Sequence, residues 1–230
     1  IIVGVVTLTG VGFRLGFVVI QTAGDISNFF SNIWPISFFS FEDLRLFFSL
    51  VLIAISCIIM GAGIPTTATY IILVAVAAPA LAQLGIEPLV AHFFVFYYGV
   101  LADITPPVAL AAYAASGIAK SNPFRTGNTA FRLGIAKALV PFVFVYSPSL
   151  LLITGEFQTN QLIITLIGTL IGIALIGIAF SGYWLRPLMK YEQIFVGIGS
   201  LFFVAPGIGS MVIGIIIILP ILFLQFYKKN

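Results

Sequence analysis

The segment GAGIPTTATY, residues 61–70, lies in the middle of a run, residues 46–86, that contains no charged residue. Glycine and proline interrupt helices, and a threonine hydroxyl finds no hydrogen-bonding partner in hydrocarbon. An apolar run is therefore a costly place for all three residue types. The segment predicts a break in the chain that is packed within protein or lines a watery cavity.

The composition of the chain indicates whether it folds in water or in a membrane. Hydrophobic residues make up 61% and charged residues 7% of the 230 residues, and the mean hydropathy is +1.21. Soluble domains carry about 25% charged residues. We therefore predict an integral membrane protein with roughly five to eight crossing or re-entrant segments of about 20 residues each. The chain starts without methionine and without a signal-peptide pattern, so we expect a piece of a longer protein.

Clusters of charge predict where the chain meets water. The strongest basic cluster consists of Lys120, Arg125, Arg132 and Lys137, and the positive-inside rule places it in the cytoplasm. Two apolar stretches, 138–155 and 162–180, then return the chain to that side, where further basic residues follow at Arg186 and Lys190. The last stretch, 193–227, is interrupted by APGIGS at 205–210, which favours a hairpin over one long tilted span.

The arms on either side of the 61–67 tip are 46–60 and 68–84, and both are shorter than a comfortable span of about 20 residues. They predict a re-entrant hairpin over 46–86 that enters from outside and turns near the midplane. The preceding segment, 27–45, is rich in aromatic and short polar residues and predicts a piece of chain that lies in the outer interface.

A second break is predicted at LADITPPVAL, residues 101–110, in the middle of a long apolar segment, 88–119. Pro106 and Pro107 remove two backbone donors, and Asp103 is the only charge between Glu87 and Lys120. An ionisable residue in a membrane segment indicates a functional site. Two breaks of this kind are typical of the binding site of a secondary transporter, whereas each alone is equally compatible with a structural kink and a threonine bonded to its own helix.

The residue types at the first break suit a small cation. Gly61 and Gly63 permit positive φ, and Pro65 removes a donor. Carbonyl groups freed at a helix end are hard oxygen ligands, as are the hydroxyls of Thr66, Thr67 and Thr69, and sodium prefers such ligands. The sequence therefore predicts a sodium site at the tip.

Two stretches of the sequence resemble the second half of the large membrane subunit of TRAP transporters. They are GAGIPTTATYIILVAVAAPAL and the later HFFVFYYGVLADITPPVALAAYAASGIAKSNPFRTGNTAFRLGIAKALVPFVFVYSPSLL. The likeness is to the fused permeases that work with TAXI-type binding proteins, and it is close over residues 45–152. It implies a bacterial or archaeal secondary transporter of the ion-transporter superfamily, with inverted repeats and an elevator-like moving domain. The first repeat of such a permease is absent from this sequence.

The resemblance also implies roles for individual residues. The residues implied in binding sodium are Gly61, Gly63, Pro65, Thr66, Thr67, Asp103, Ile104 and Thr105. The residues implied in contacting the substrate are Thr66, Thr67, Thr105 and Pro106. Because a carboxylate repels an organic anion, we favour an ion-side or structural role for Asp103.

The partners that the resemblance implies are a periplasmic TAXI-type substrate-binding protein, the N-terminal repeat of the same permease, and a small membrane subunit or its fused equivalent. An organic anion is the implied substrate, sodium is the coupling ion, and no other cofactor and no nucleic acid is expected. The implied location is the cytoplasmic (inner) membrane.

The predicted fold is an all-α integral membrane protein in four parts. Scaffold and interfacial helices occupy 1–45, and half of a transport domain occupies 46–119, with the hairpin at 46–86 and the broken helix at 88–119. Residues 120–137 form a cytoplasmic amphipathic arm, with a solvated basic loop as the alternative. Residues 138–230 form further transmembrane helices of the scaffold.

An enzyme is not predicted, because the sequence has a single histidine, no phosphate-binding glycine loop and no Cys/His metal spacing. His92 is expected to be an interfacial residue bonded to water or to a neighbour rather than a proton relay. Gly168 and Gly172 have a spacing that permits close helix packing. The rival hypothesis is a channel-like or purely structural membrane subunit in which both breaks only kink helices.

Overall fold

The structure, a computed structural model, describes residues 2–33, 40–152, 157–205 and 207–227. Within these residues the chain forms eleven α-helices, two 3₁₀ turns and no β-strand. The helices are α1 (Ile2–Thr9), α2 (Val11–Ile33), α3 (Phe41–Gly61), α4 (Thr66–Gln83), α5 (Pro88–Ala102), α6 (Leu110–Ile118), α7 (Pro123–Gly134), α8 (Val140–Tyr146), α9 (Thr159–Ser181), α10 (Lys190–Val204) and α11 (Ile208–Tyr227). The 3₁₀ turns are Ile135–Leu139 and Pro148–Leu151.

Five helical stretches of the described chain are long and apolar enough to cross a membrane. They are Phe41–Gly61, Thr66–Gln83, Pro123–Tyr146, Thr159–Ser181 and Ile208–Tyr227. In Pro123–Tyr146 the first 3₁₀ turn joins α7 to α8. The prediction of an all-α membrane protein is confirmed.

The helices on either side of the tip differ in length from the predicted arms. Helix α3 begins at Phe41 rather than at residue 46 and has 21 residues. The reason is a capping box, in which Ser40 Oγ accepts a hydrogen bond from Asp43 N at 3.1 Å and Asp43 Oδ2 accepts one from Ser40 N at 3.1 Å. The expectation of a half-length first arm is therefore wrong, and helix length no longer favours a re-entrant path.

The segment 27–45 includes parts of two helices, and its position in the outer interface stays a prediction. Its first residues are the last turns of α2, its end is the first turn of α3, and 34–39 lie outside the described residues. Ser27 is fully buried, and its hydroxyl donates to the carbonyl of Ala23 at 2.7 Å. The hydroxyl of Ser27 is thus satisfied within its own helix.

The chain divides into two compact units, residues 1–119 and residues 120–230. In the first unit α2, α3 and α4 pack on one another, and α5 packs on α3 and α4. Large side chains of this core are completely buried at Leu50, Leu73 and Phe94. This unit contains both predicted breaks.

The second unit begins with the basic segment, and most of that segment is helical. Asn122 caps α7 by accepting a hydrogen bond from Arg125 N at 3.1 Å, and Arg132 Nη2 donates to the carbonyl of Phe180 at 3.2 Å. Arg125 and Arg132 are exposed, whereas Gly127 is buried. Most of the segment is therefore a helix, Pro123–Gly134, and its role as a cytoplasmic amphipathic arm stays a prediction.

Helices α9, α10 and α11 pack through glycines. A Cβ on Gly168 would lie 2.6 Å from the carbonyl oxygen of Phe203, and one on Gly172 would lie 2.5 Å from Val204 Cγ2, so α10 approaches α9 closely at both positions. A Cβ on Gly199 would likewise meet Ile218 at 2.6 Å. The final stretch is thus two helices packed on each other, α10 and α11, as the hairpin interpretation predicted.

Candidate functional site at two chain breaks

The tip between α3 and α4 consists of the four residues 62–65. Helix α3 ends with two bent hydrogen bonds, from Ala62 N to Ile59 O and from Ile64 N to Gly61 O, both at 3.4 Å. Gly63 has φ +82, a conformation that side chains rarely adopt. Pro65 then leads directly into α4, which starts at Thr66. The predicted break at the tip is present.

The second break separates α5 from α6 over residues 103–109. After Ala102 the hydrogen bonds tighten to i→i+3 spacing, with Asp103 N bonded to Val100 O at 3.3 Å and Thr105 N bonded to Ala102 O at 3.1 Å. The peptide between Pro106 and Pro107 is cis, and Ala109 has φ 32. The predicted discontinuous helix is therefore present, and its interruption, 103–109, includes Asp103, Ile104, Thr105, Pro106 and Pro107 but is shorter than the predicted 101–110.

The two breaks lie against each other. A Cβ on Gly61 would be 3.0 Å from Ala102 Cβ, and one on Gly63 would be 3.4 Å from Val108 Cγ1. Gly99, one turn before the end of α5, is equally close to α4, since its Cβ would lie 3.2 Å from Thr69 Cγ2. The tip of the hairpin thus packs directly on the interrupted part of the next helix.

The threonines of the site fall into two kinds. Thr69 is buried, and its hydroxyl donates to Ile64 O at 3.0 Å, while the Thr105 hydroxyl donates to Leu101 O at 2.7 Å. Thr66 and Thr67 are exposed, and within the described chain neither hydroxyl has a hydrogen-bond partner. Thr66 and Thr67 therefore have both the hydrogen and the lone pairs of their hydroxyls uncommitted, whereas Thr69 and Thr105 have committed the hydrogen and keep the oxygen lone pairs for a ligand.

Asp103 is half-buried at the start of the interruption. Its backbone carbonyl accepts a hydrogen bond from Ala111 N at 3.1 Å, which connects α5 to α6 across the break. Among the described residues its carboxylate takes part in no ion pair. The carboxylate thus lies at the start of the second break without a cationic side chain paired to it.

The ligand set available here consists mainly of neutral oxygens. Among the described residues no group of three or more His, Cys, Asp and Glu side chains is placed to hold a metal ion. The oxygens that the two breaks offer are backbone carbonyls, the hydroxyls of Thr66 and Thr67, and the carboxylate of Asp103. Such hard oxygen donors suit small cations of the s-block rather than transition metals.

Two small residues of this junction, Gly99 and Ala102, were not predicted as part of the site. Thr69 fastens the start of α4 to the tip through Ile64, and Gly99 and Ala102 leave the space that the hairpin fills. The absence of bulk at Gly99 and Ala102, within the aromatic run HFFVFYYGVLA (92–102), was the available signal.

His92 lies away from the two breaks. Its Nδ1 is 2.7 Å from the hydroxyl of Tyr70, and both side chains are partly buried. The expectation that His92 is satisfied by a neighbour is confirmed, and the neighbour is a residue of α4.

Comparison with known proteins gives one family. The model of that family is described as the tripartite ATP-independent periplasmic transporter, DctM component, and it matches residues 1–159. No curated protein and no solved structure matches the chain. The matched residues include the tip, the interrupted helix and more than half of the chain. On this evidence the chain belongs to the family of the DctM membrane components of TRAP transporters.

Proposed function

We propose that this chain is the C-terminal repeat of a TRAP permease of the TAXI type, and that the permease imports an organic anion such as a carboxylate together with sodium. Membership of the DctM family supports a transport function rather than catalysis. The observation that carries the rest is the junction of two interrupted helices, with free hydroxyls on Thr66 and Thr67.

In the proposed mechanism the tip and the break bind sodium from opposite sides. Thr66 and Thr67 contribute hydroxyl oxygens, and the residues around Gly61 and Gly63 contribute carbonyl oxygens, since a carbonyl that accepts one hydrogen bond, as Gly61 O does, keeps a second lone pair. Asp103 and Ile104 lie on the facing break, where the unpaired carboxylate lowers the cost of holding a cation. Sodium binding would then favour the packed arrangement of hairpin and broken helix.

The substrate anion would bind at the same junction, on the side opposite the sodium ion. The first turn of α4, which begins at Thr66, presents backbone N–H groups that no helical carbonyl satisfies. Together with Thr105 and Pro106 these groups form one wall of a site that the N-terminal repeat would complete. A periplasmic TAXI-type protein would deliver the anion at the outer face of the inner membrane, and the hairpin would be re-entrant from that side.

One observation favours the rival, a channel-like or structural subunit. The hydroxyl of Thr105 is bonded to its own helix at Leu101 O, which is what a purely structural kink would show. Under this hypothesis sodium has no specific site, and replacing Thr66 and Thr67 leaves function unchanged.

The test is uptake by the complete permease in proteoliposomes, with its binding protein and a labelled dicarboxylate mixture, with and without an inward sodium gradient. We compare wild type with Thr66→Ala/Thr67→Ala and use Thr129→Ala, an exposed threonine of α7, as control. We expect sodium-driven uptake in wild type and control and its loss in the double variant. Uptake that is indifferent to sodium, or to both tip threonines, overturns the proposed ion site.

A further inference from the structure

A cleft of about 210 Å³ lies between α2, α3 and α4 in the first unit. Buried residues form its floor, among them Gly16 of α2, Ile53 of α3 and Ala80 of α4. The exposed side chains of Leu15 and Ile59 stand at its rim. The cleft is therefore a recess in the outer surface of this unit, open between α2 and α3.

The lining of the cleft is apolar. Among the described residues that line it, the polar side chain is that of Ser56, whose hydroxyl donates to Leu52 O at 2.8 Å. An apolar cavity of about 150 Å³ stays free of water and holds a benzene ring, which has six carbons. By that measure the cleft has room for roughly eight carbons of an apolar ligand.

An exposed stripe of α3 leads into the cleft. In a helix with 3.6 residues per turn, positions 45, 48, 52, 55 and 59 fall within an arc of about 80°. None of these positions is buried: Arg45, Phe48, Leu52, Ile55 and Ile59. Since Ile59 belongs to both the stripe and the rim of the cleft, the two are continuous. The stripe thus has a cation at its start, apolar side chains along its length and a recess at its end.

The length of the stripe matches one leaflet of a membrane. Helix α3 is long and apolar enough to cross a membrane. Arg45 and Ile59 are 14 residues apart, which corresponds to about 21 Å along the helix. One leaflet with its headgroups measures roughly 20–22 Å, half the thickness of a bilayer. An acyl chain that follows the stripe therefore reaches the cleft while its headgroup stays at the level of Arg45.

The charges at the start of the stripe favour a zwitterionic headgroup. Arg45 Nη1 lies 3.3 Å from Glu42 Oε2, and the two side chains are 36% and 73% exposed, so both remain accessible to a ligand. Asp43 adds a second carboxylate beside this pair. A purely anionic headgroup would be attracted by Arg45 but repelled by both carboxylates. A headgroup with a phosphate and an ammonium group can place the phosphate on Arg45 and the ammonium on Glu42, and both contacts are charge-assisted hydrogen bonds.

We propose that the stripe and the cleft bind one molecule of an amine-bearing zwitterionic phospholipid, of the phosphatidylethanolamine type. Its phosphate contacts Arg45, its ammonium contacts Glu42, and one acyl chain runs along the stripe and fills the cleft. Met60 lines the cleft and directly precedes Gly61, where a Cβ would lie 3.0 Å from Ala102 Cβ. The bound chain therefore supports α3 beside the contact between the hairpin tip and the interrupted helix. The lipid site is separate from the proposed sodium and substrate residues, and its test needs no transport measurement.

Photolabelling of the complete permease tests the proposal. The probe is phosphatidylethanolamine with a diazirine near the end of one acyl chain, added to the protein in detergent, and labelled peptides are identified by mass spectrometry. We expect label in α3 between residues 53 and 60. Ala77→Phe adds a phenyl ring to the wall of the cleft and takes up most of its capacity. It should lower this label at least about tenfold, because each methylene that loses its site weakens binding about fourfold.

Matched variants separate binding in the cleft from damage to the fold. Ala82→Phe is the control, since Ala82 is an exposed residue of the same helix that does not line the cleft, and it should keep the label. Val19→Phe fills the cleft from α2 and should repeat the effect of Ala77→Phe. The thermal midpoint in detergent is a second readout, because a ligand stabilises the state that binds it. Added phosphatidylethanolamine should raise the midpoint of wild type and Ala82→Phe but not that of the two cleft variants.

The headgroup contacts are tested in the same labelling experiment. Arg45→Gln should lower the label about fivefold, the effect of one cation near a membrane surface, and Arg45→Lys should retain it. Unlabelled phosphatidylethanolamine should displace the probe at a lower concentration than phosphatidylglycerol, and Glu42→Gln should remove that preference. Equal displacement by the two lipids in wild type would refute the assignment of the headgroup.

Two further outcomes would overturn the lipid site itself. Equal label in wild type, Ala77→Phe and Val19→Phe would mean that α3 only touches bulk lipid. Label that is absent from α3 in the complete permease would mean that another part of the protein covers the cleft.

Discussion

Arg186 donates to both carboxylate oxygens of Glu192, from Nη2 to Oε1 at 2.6 Å and from Nη1 to Oε2 at 3.2 Å. Glu192 is fully buried and also accepts hydrogen bonds from Met189 N at 2.8 Å and from Gln225 Nε2 at 3.1 Å. Gln225 lies in the last turns of α11. The ion pair therefore connects the turn between α9 and α10 to the end of α11.

The first prediction concerns the pH dependence of this pair, which lies just before the apolar stretch 193–227. Burial by itself would raise the pKa of Glu192. The opposing effects are larger and lower the pKa below its usual value: they are the hydrogen bonds from Met189, Arg186 and Gln225 and the positive charge of Arg186. A lowered pKa in the folded state stabilises the protein above the ordinary pKa of the group, 4.5, and that stabilisation is lost as the pH falls below it. We expect the thermal unfolding midpoint, measured in detergent, to decrease when the pH is lowered below 4.5.

The matched variant for that measurement is Glu192→Gln. It removes one partner of a buried pair, which typically costs about 3 kcal/mol, so the midpoint at neutral pH should drop. The part of the acid dependence that Glu192 causes should also disappear. A variant that keeps the wild-type acid profile would show that other groups cause it.

The second prediction concerns the glycine contact between α9 and α10. Gly172→Leu should lower the thermal midpoint sharply, because even its Cβ would lie 2.5 Å from Val204 Cγ2 and 3.1 Å from Ser200 O. Gly177→Leu in the same helix is the control, since a Cβ at Gly177 meets nothing within 4 Å. Equal destabilisation by both substitutions would contradict the packing described here.

The third prediction concerns the junction of the two breaks. Gly61→Val should reduce transport more than Gly117→Val, because a Cβ at Gly61 already presses on Ala102 and Thr69 at 3.0 Å, whereas one at Gly117 lies in open space. Overpacking of this kind typically costs about 1–3 kcal/mol. The measurement is substrate uptake by the complete permease at equal expression. Equal uptake rates for the two variants would show that transport tolerates a larger distance between the hairpin tip and the interrupted helix.

The fourth prediction concerns the bond between α4 and α5. Tyr70→Phe removes the hydroxyl that lies 2.7 Å from His92 Nδ1 but keeps the ring contact with Phe96. We expect a loss of about 1 kcal/mol in stability, the usual net value of a hydrogen bond. Tyr227→Phe, at an exposed ring, is the control and should cost nothing measurable. An unchanged midpoint for Tyr70→Phe would mean that water replaces the lost partner.

The two breaks were predictable because they depend on local chemistry. Gly63 at positive φ and the Pro106–Pro107 pair interrupt a helix wherever they stand, so their positions follow from the residues alone. The start of α3 was predictable from local chemistry too but was missed, since Ser40 and Asp43 form the S-x-x-D pattern of a capping box. Its start depends on Ser40 and Asp43 bonding to each other, and the apolar run alone gave no sign that the helix extends back over its charged first turn.

The sequence alone determined the solvent, the helical class, the two interruptions and the residues that fill them, because hydropathy and backbone restrictions act within a few neighbouring positions. Only the tertiary structure decided which residues share a surface, and only the structure showed which hydroxyls bond to their own backbone. Thr105 and Thr66 look alike in the sequence, but one is bonded to Leu101 and the other is exposed. The contact of Gly61 with Ala102 joins residues 41 positions apart, and packing between helices, rather than any local rule, brings them together.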